Sequence, residues 1–240
     1  MVDIKIVASR ERQEMVEKLQ SALGLTEADI VYDEREEPGN PYVLVKQAWL
    51  LPHAEGVTHR VVLNDDVQVC TGFEQIIEQM AQSHPDCALS LFTMAFDSES
   101  YNDFIHGIES PYVDHSWGLW GCAIMMPVAI VEDCFNYIDT VFREDVHDSY
   151  GILSFLKQRQ IPILSTLPVT VQHIGDDSLY DPSLPVRRTT RFKENPEADW
   201  TSTKIEVPPV LEWFKPRQVG KVEDRTDRIL NILKGVNIDE

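Results

Sequence analysis

Residues 58–69 read THRVVLNDDVQV. Arg60 to Leu63 has the composition of a buried strand, and it runs directly into two adjacent carboxylates, Asp65 and Asp66. Val67 to Val69 then resumes an apolar/polar alternation. Neighbouring carboxylates at the end of a strand repel each other unless a cation lies beside them. Hard divalent ions such as Mn²⁺ and Mg²⁺ prefer carboxylate oxygen, and Mg²⁺ commonly shares one or two protein carboxylates with substrate phosphates. A solvated Asp-Asp turn that simply closes the strand is the alternative, and this stretch by itself leaves both open.

The flanking sequence predicts regular alternation. Upstream, Asp3 to Ala8 reads as a strand. Arg10 to Leu23 has helical spacing, with Met15, Val16, Leu19 and Leu23 on one face and Gly24 as its stop. Ile30 to Tyr32 reads as a second strand, Asp33 to Gly39 as a charged turn, and Pro41 to Leu51 as a second helix. The strand carrying the two carboxylates is expected over Val61 to Val67. Downstream, Phe73 to Ser83 reads as a helix stopped by His84-Pro85-Asp86, and Ala88 to Met94 as a strand. Four such alternations predict parallel strands with helices on both faces. Ligands in such sheets bind at the carboxyl ends of strands, which is where Asp65 and Asp66 fall. That position favours the metal reading.

Beyond residue 95 the pattern loosens. Tyr101 to Asp114 is polar and aromatic, and Trp117 to Met126 (WGLWGCAIMM) is a Gly-broken strand that Pro127 ends. Val128 to Val141 and Asp148 to Gln160 read as helices, Pro162 to Leu164 and Val169 to Gln172 as short strands. Asp181 to Pro216 is Pro-rich and irregular, and Asp224 to Lys234 has the pattern of an amphipathic helix. The expectation is an α/β fold: a mixed, mostly parallel sheet flanked by helices, with a Rossmann-like nucleotide-binding half. Residues 1–182 would form the catalytic domain, and 183–240 an extension packed on it.

Composition bounds the function. The net charge of −19, from 21 basic and 40 acidic residues, disfavours broad contact with nucleic-acid phosphates. One basic cluster, Arg187, Arg188, Arg191 and Lys193, keeps a local anionic contact open. Cys70, Cys87, Cys122 and Cys134 form no C-x-x-C pair, which argues against a zinc site and for buried thiols. No run approaches the roughly 20 apolar residues that span a bilayer. The N-terminus lacks a secretory pattern, so a cytoplasmic location is expected.

A second segment, VQHIGDDS (171–178), bears on the carboxylate pair. His173 follows a strand, and a neutral imidazole suits a mixed O/N site for Mn²⁺. Gly175 permits close backbone approach to a phosphate, and Ser178 offers a donor. A lone structural histidine is the plainer alternative.

In order and spacing these motifs resemble the GT-A fold glycosyltransferases, in particular small ones encoded by bacteriophages. The resemblance covers about residues 1–182. It rests on Ile4 to Arg12, LNDDV (63–67), WGLWGCAIMMP (117–127), EDVHDSYGI (144–152) and PVTVQHIGDDS (168–178). It implies a nucleotide-diphosphate sugar as donor and a bound Mn²⁺ or Mg²⁺. It assigns Asp66 and His173 to the metal, with Asp65 supporting it or meeting the ribose. Asn64 stands where many members carry the first acid of a DxD motif; it can meet a ribose hydroxyl but brings no charge. Arg10 would hold the nucleotide. Trp117, Gly118, Trp120 and Gly121 would line the sugar pocket, with Gly175 and Ser178 near the phosphates. An inverting enzyme also needs a carboxylate to take the acceptor proton. Asp148 is the first candidate and Asp145 the second, against the alternative that an Asp at a helix start is an N-cap.

The expected activity is therefore sugar transfer to a protein or glycan, including a phage virion component, or alternatively to hydroxymethylated bases of DNA. Two other classes compete. A nucleotidyltransferase usually carries a Gly-rich loop after its first strand, and ASRERQE (8–14) has no glycine. A non-catalytic sugar-binding module would be consistent with Asn64.

Overall fold

The computed structural model describes residues 1–35, 41–93, 108, 110–114, 119–142, 147–176, 188–189 and 191–206. The expected helix at 224–234 lies outside them, as do Trp117, Gly118, Asp145, Ser178 and Arg187.

The chain forms a mixed, mostly parallel α/β sheet flanked by helices. Strands β1 (Val2–Ser9), β2 (Ile30–Asp33) and β3 (His59–Asn64) pair in parallel, with β1 in the middle. Helix α1 (Gln13–Ala22) links the first two, and α2 (Tyr42–Leu50) the second and third. Strand β5 (Ala88–Ser90) pairs in parallel with β8 (Ile163–Thr166). Between β3 and β5 lies β7 (Ala123–Pro127), antiparallel to both. Strand β6 (Tyr112–Asp114) runs antiparallel to β8, and β10 (Ile205–Glu206) closes that side in parallel with β6. The order is β10-β6-β8-β5-β7-β3-β1-β2.

Strand alternation divides the core in two. Ile4 and Ile6 of β1 and Val61 and Leu63 of β3 face Val16 and Leu19 of α1 and Phe73, Ile77 and Met80 of α3 (Phe73–Ser83). Val7, Val62, Ile124 and Met126 face the other way. There they meet Tyr42 and Trp49 of α2, Phe135 and Ile138 of α4 (Val131–Phe142), and Ile152 and Phe155 of α5 (Asp148–Gln158). The period-2 pattern of each strand thus supplies both layers at once. All four cysteines are buried free thiols.

Local sequence sets several boundaries. Gly24, at φ +59°, ends α1, and the Leu25 amide returns to the Gln20 carbonyl at 3.0 Å, as a left-handed cap requires. The C-terminal carbonyls of α2 are met by a buried cation from the sheet. Arg60 donates to the carbonyls of Ala48, Leu51 and Pro52 and, at 2.8 Å, to Asp3 Oδ2. Asp3 stands opposite Arg60 in the β1–β3 register, so the ion pair fixes that register as well as capping the helix.

Several boundaries depart from expectation, three of them close to the two carboxylates or to the Trp/Gly strand. The strand expected over Val61 to Val67 stops at Asn64: Asp65 and Asp66 form a turn, and β4 (Val67–Val69) joins a separate two-stranded sheet with β9 (Val171–His173). The helix expected from Arg10 begins with a 3-10 turn over Arg10–Arg12. Within the expected strand 117–126, Gly121 and Cys122 form a turn, and β7 runs on through Pro127 instead of stopping before it.

Candidate active site

The β3 strand ends at the carboxyl edge of the sheet, and the Asp65–Asp66 turn directs both side chains inward, where each is about one-twentieth exposed or less. Their partners come from three segments. The end of β1 supplies the Ser9 amide, which donates to Asp65 Oδ2 at 2.7 Å. The 3-10 turn that follows supplies Arg12, whose guanidinium donates to Asp65 Oδ1 at 3.1 Å and to Asp66 Oδ2. Strand β9 supplies His173, whose Nε2 lies 3.2 Å from Asp66 Oδ2. The β4–β9 pairing puts Val67 opposite His173, so the small sheet exists in the register that joins these two positions.

The turn after β9 locks the arrangement. The amides of Ile174 and Gly175 donate to the Asp66 carbonyl at 2.8 and 3.3 Å. A Cβ on Gly175 would lie 2.6 Å from Asp66 Oδ2 and 3.0 Å from its Cβ. The absence of a side chain at 175 therefore makes room for the carboxylate of Asp66. Arg188 holds the same turn, donating to the carbonyls of His173 (2.6 Å), Gly175 (3.0 Å) and Ile174 (3.1 Å) and to Asp176 (2.9 Å).

The charges sort accordingly. Burial raises the Asp65 carboxyl above its usual range, helped by the charge of Asp66 and opposed by the Ser9 amide and Arg12. Burial pushes Asp66 the same way, but His173 and Arg12 outweigh it and hold it low. Burial works against the charge of Arg12, yet the two carboxylates keep its guanidinium more firmly protonated than usual.

One oxygen is left over. Among the described residues, Asp66 Oδ1 is buried and meets no hydrogen-bond donor. Such an atom calls for an explanation, and a cation is the simplest one for a carboxylate. The donor set, a carboxylate and an imidazole, suits Mn²⁺. Among the described residues no three His, Cys, Asp or Glu side chains converge as a complete metal cage. The protein would therefore contribute Asp66 and His173, leaving other positions to substrate phosphate and water, as is usual for Mg²⁺-type ions.

A second carboxylate lies along the same edge. The Asn64 amide donates to the Cys122 carbonyl at 3.0 Å, which brings the entry to β7 beside the Asp65–Asp66 turn. There a Cβ on Gly121 would lie 3.1 Å from Asp148 Oδ2. Asp148 is the first residue of α5, with His147 in the cap position, so it is not the N-cap. Its carboxylate is buried, and Oδ1 lies 2.7 Å from His147 Nδ1. Trp120 is half-buried and packs against the core layer that contains α1 and α3.

Arg10 is placed apart from this group. It is exposed, pairs with Glu34 at 2.6 Å and lies over the Tyr32 ring at 3.6 Å. Arg12 is the arginine that reaches the carboxylates. Sequence reasoning missed it because both arginines lie just past β1 and their chemistry is identical. Ser9 and His147 were missed too; the contact of Ser9 is through its backbone and leaves no side-chain signal. Of the basic cluster, Arg188 is spent on the 173–176 turn, Arg191 is partly buried, and Lys193 is exposed.

No protein-family model and no curated protein matches this chain. Solved structures resemble it in part. One is a Drosophila β1,4-galactosyltransferase 7 mutant in complex with manganese, UDP-Gal and xylobiose. It is 8% identical, with 72% of this chain and 71% of that chain covered and a TM-score of 0.38. Another is a glycosyltransferase involved in glycosylation of the major capsid of PBCV-1. It is 13% identical, with 68% of this chain and 81% of that chain covered and a TM-score of 0.33. Both likenesses fall below the level at which shared shape argues for shared activity, so the activity has to follow from this chain's own residues.

Proposed function

We propose that this protein is a divalent-metal-dependent glycosyltransferase that moves a sugar from a nucleotide-diphosphate sugar to a hydroxyl of a protein or glycan. The observation that carries the proposal is the meeting of Asp66 and His173 at the carboxyl edge of the sheet, with Asp66 Oδ1 buried and unmatched among the described residues. The motif order described above, in which a strand-end acid pair is followed late by a histidine, supports the same reading.

Asp66 and His173 would hold the metal. When bound, it supplies Lewis-acid stabilisation for the charge that collects on the departing diphosphate. Asp65, fixed by the Ser9 amide, keeps its neighbour in place. Gly175 lets Asp66 sit close under the turn, and Arg188 keeps that turn shut. Asp148 takes the acceptor proton: the acceptor oxygen bonds to the sugar's anomeric carbon, the bond from that carbon to the diphosphate breaks, and the nucleoside diphosphate leaves. His147 orients the Asp148 carboxylate through its Nδ1. The engagement of Arg188 with backbone carbonyls takes it out of the basic cluster, which favours protein or glycan over DNA as acceptor.

The test is a panel of nucleotide-sugars incubated with the protein, scored by nucleoside diphosphate release with Mn²⁺ and with EDTA. Release from at least one donor that EDTA abolishes is expected. Asp148→Asn should cut turnover by about 10²–10⁴-fold, the usual worth of a general base, while donor binding stays close to wild type. No release and no Mn²⁺-dependent nucleotide binding across the panel would sink the proposal.

A further inference from the structure

Arg12 stands where a cation would be needed. Its guanidinium bridges the two buried carboxylates, touching Asp66 on Oδ2, the oxygen that His173 Nε2 also approaches. The Arg12 side chain is itself only 15% exposed. Adjacent buried carboxylates cannot both stay ionised without a counter-charge, and removing the partner of a buried ion pair is strongly destabilising. Among the described residues, Arg12 is the cation that touches both carboxylates, with His173 beside Asp66 alone.

A divalent ion on Asp66 and His173 would enter beside this permanent positive charge. Two carboxylates and one guanidinium carry one net negative charge, and a divalent ion turns that into one net positive charge. A diphosphate restores the balance. A guanidinium is also the side chain best matched to phosphate oxygens, because its planar fork donates two parallel hydrogen bonds. Arg12 lies on the 3-10 turn just past β1, a short segment whose only described side-chain cap is the bond from the Glu11 amide to Ser9 Oγ.

We propose that Arg12 is a built-in counter-ion that holds Asp65 and Asp66 in the metal-free protein and passes to the donor's diphosphate when a divalent ion binds. This rests on the glycosyltransferase reading of the site. It makes metal and nucleoside diphosphate bind cooperatively, by equal factors in either order. It also makes Arg12 the residue that sets the size of that coupling and keeps the metal site weak until donor is present.

The experiment measures Mn²⁺ binding by the loss of the free-ion electron paramagnetic resonance signal. Wild type, Arg12→Gln and Arg12→Lys are each titrated alone and with ADP, CDP, GDP or UDP, against protein-free blanks. Arg12→Gln should bind Mn²⁺ alone about 10-fold more tightly than wild type, within the ordinary range of coupling between sites, and gain less from nucleotide. It should melt lower than wild type without Mn²⁺ and be raised more by it. Arg12→Lys keeps the charge and loses the fork; it guards against a Gln variant that fails to fold, and its gain from nucleotide should be smaller than wild type's. Equal Mn²⁺ affinity and equal nucleotide gain in wild type and both variants would overturn the role of Arg12 and leave the metal site standing. No Mn²⁺ uptake by any of the three, with every nucleotide, would remove the metal reading itself and the proposal with it.

Discussion

At the scale of single residues the site depends on close approach more than on chemistry. Gly175 shows this most directly. An alanine Cβ there would press on the Asp66 carboxylate and on its Cβ, and backbone hydrogen bonds on both sides leave the turn little room to move. Gly175→Ala should therefore cost about 1–3 kcal/mol, as overpacking does. It should also weaken Mn²⁺ binding by displacing Asp66. Urea melts with and without Mn²⁺ check both; an unchanged midpoint and an unchanged metal response would show that the turn simply shifts. The sequence made Asp65, Asp66 and His173 legible because acids at a strand end and an imidazole after a strand are unusual enough to stand out. It did not separate Arg10 from Arg12. That choice is made by the 3-10 turn, which starts the α-helix three residues later than periodicity suggests and so points Arg12, not Arg10, at the carboxylates.

At the scale of elements, the helices were the most legible part. Phe73–Ser83 carries its apolar face at helical spacing and its stop in the next three residues. Strand direction was not legible. Alternation says which face a residue lies on but nothing about which way the strand runs, so the antiparallel β7 inside an otherwise parallel region could not be read from its own residues. Nor was the break between β3 and β4 legible, because Val67 and Val69 keep the odd-numbered phase of Val61 and Leu63 on the far side of Asp65 and Asp66. The end of α3 carries a prediction about pH. His84 is buried against the Tyr112 ring, and its Nε2 donates to the Ser202 carbonyl at 3.1 Å. Burial lowers its pKa below the usual 6.5, and burial does the same to His59. For a base with a depressed folded pKa, the unfolded chain takes up the proton first as pH falls. Stability should accordingly decline as pH drops below about 6.5 and continue to fall until the folded pKa is reached. His84→Gln keeps a donor without the titration and should flatten the slope of melting temperature against pH between about 7 and 5. An identical slope in the variant would assign the pH response to other groups.

At the scale of the whole molecule, the described residues between 188 and 206 pack into the same sheet and core layer as the chain before 182. Trp200 is 4% exposed in the layer with α1 and α3, its carbonyl accepts from the Tyr112 hydroxyl at 2.7 Å, and β10 forms the outer strand beside β6. Trp200→Ala should destabilise by about 3–5 kcal/mol, as loss of a large buried side chain does. A fragment ending at 182 should show exposed apolar surface and no cooperative melt; a sharp transition near that of the full chain would show the domain complete without that segment. The position of β7 has a consequence for synthesis. A ribosome delivers β3 and β5 within the first 90 residues, long before residues 123–127 exist to be placed between them. During that interval β5 has neither of its final neighbours, since β8 is later still, and β3 has an open side. The nascent chain thus carries unpaired strand edges of the kind that invite association between chains. How long those edges stay open depends on translation speed across the β5-to-β7 interval, a quantity that equilibrium stability does not report.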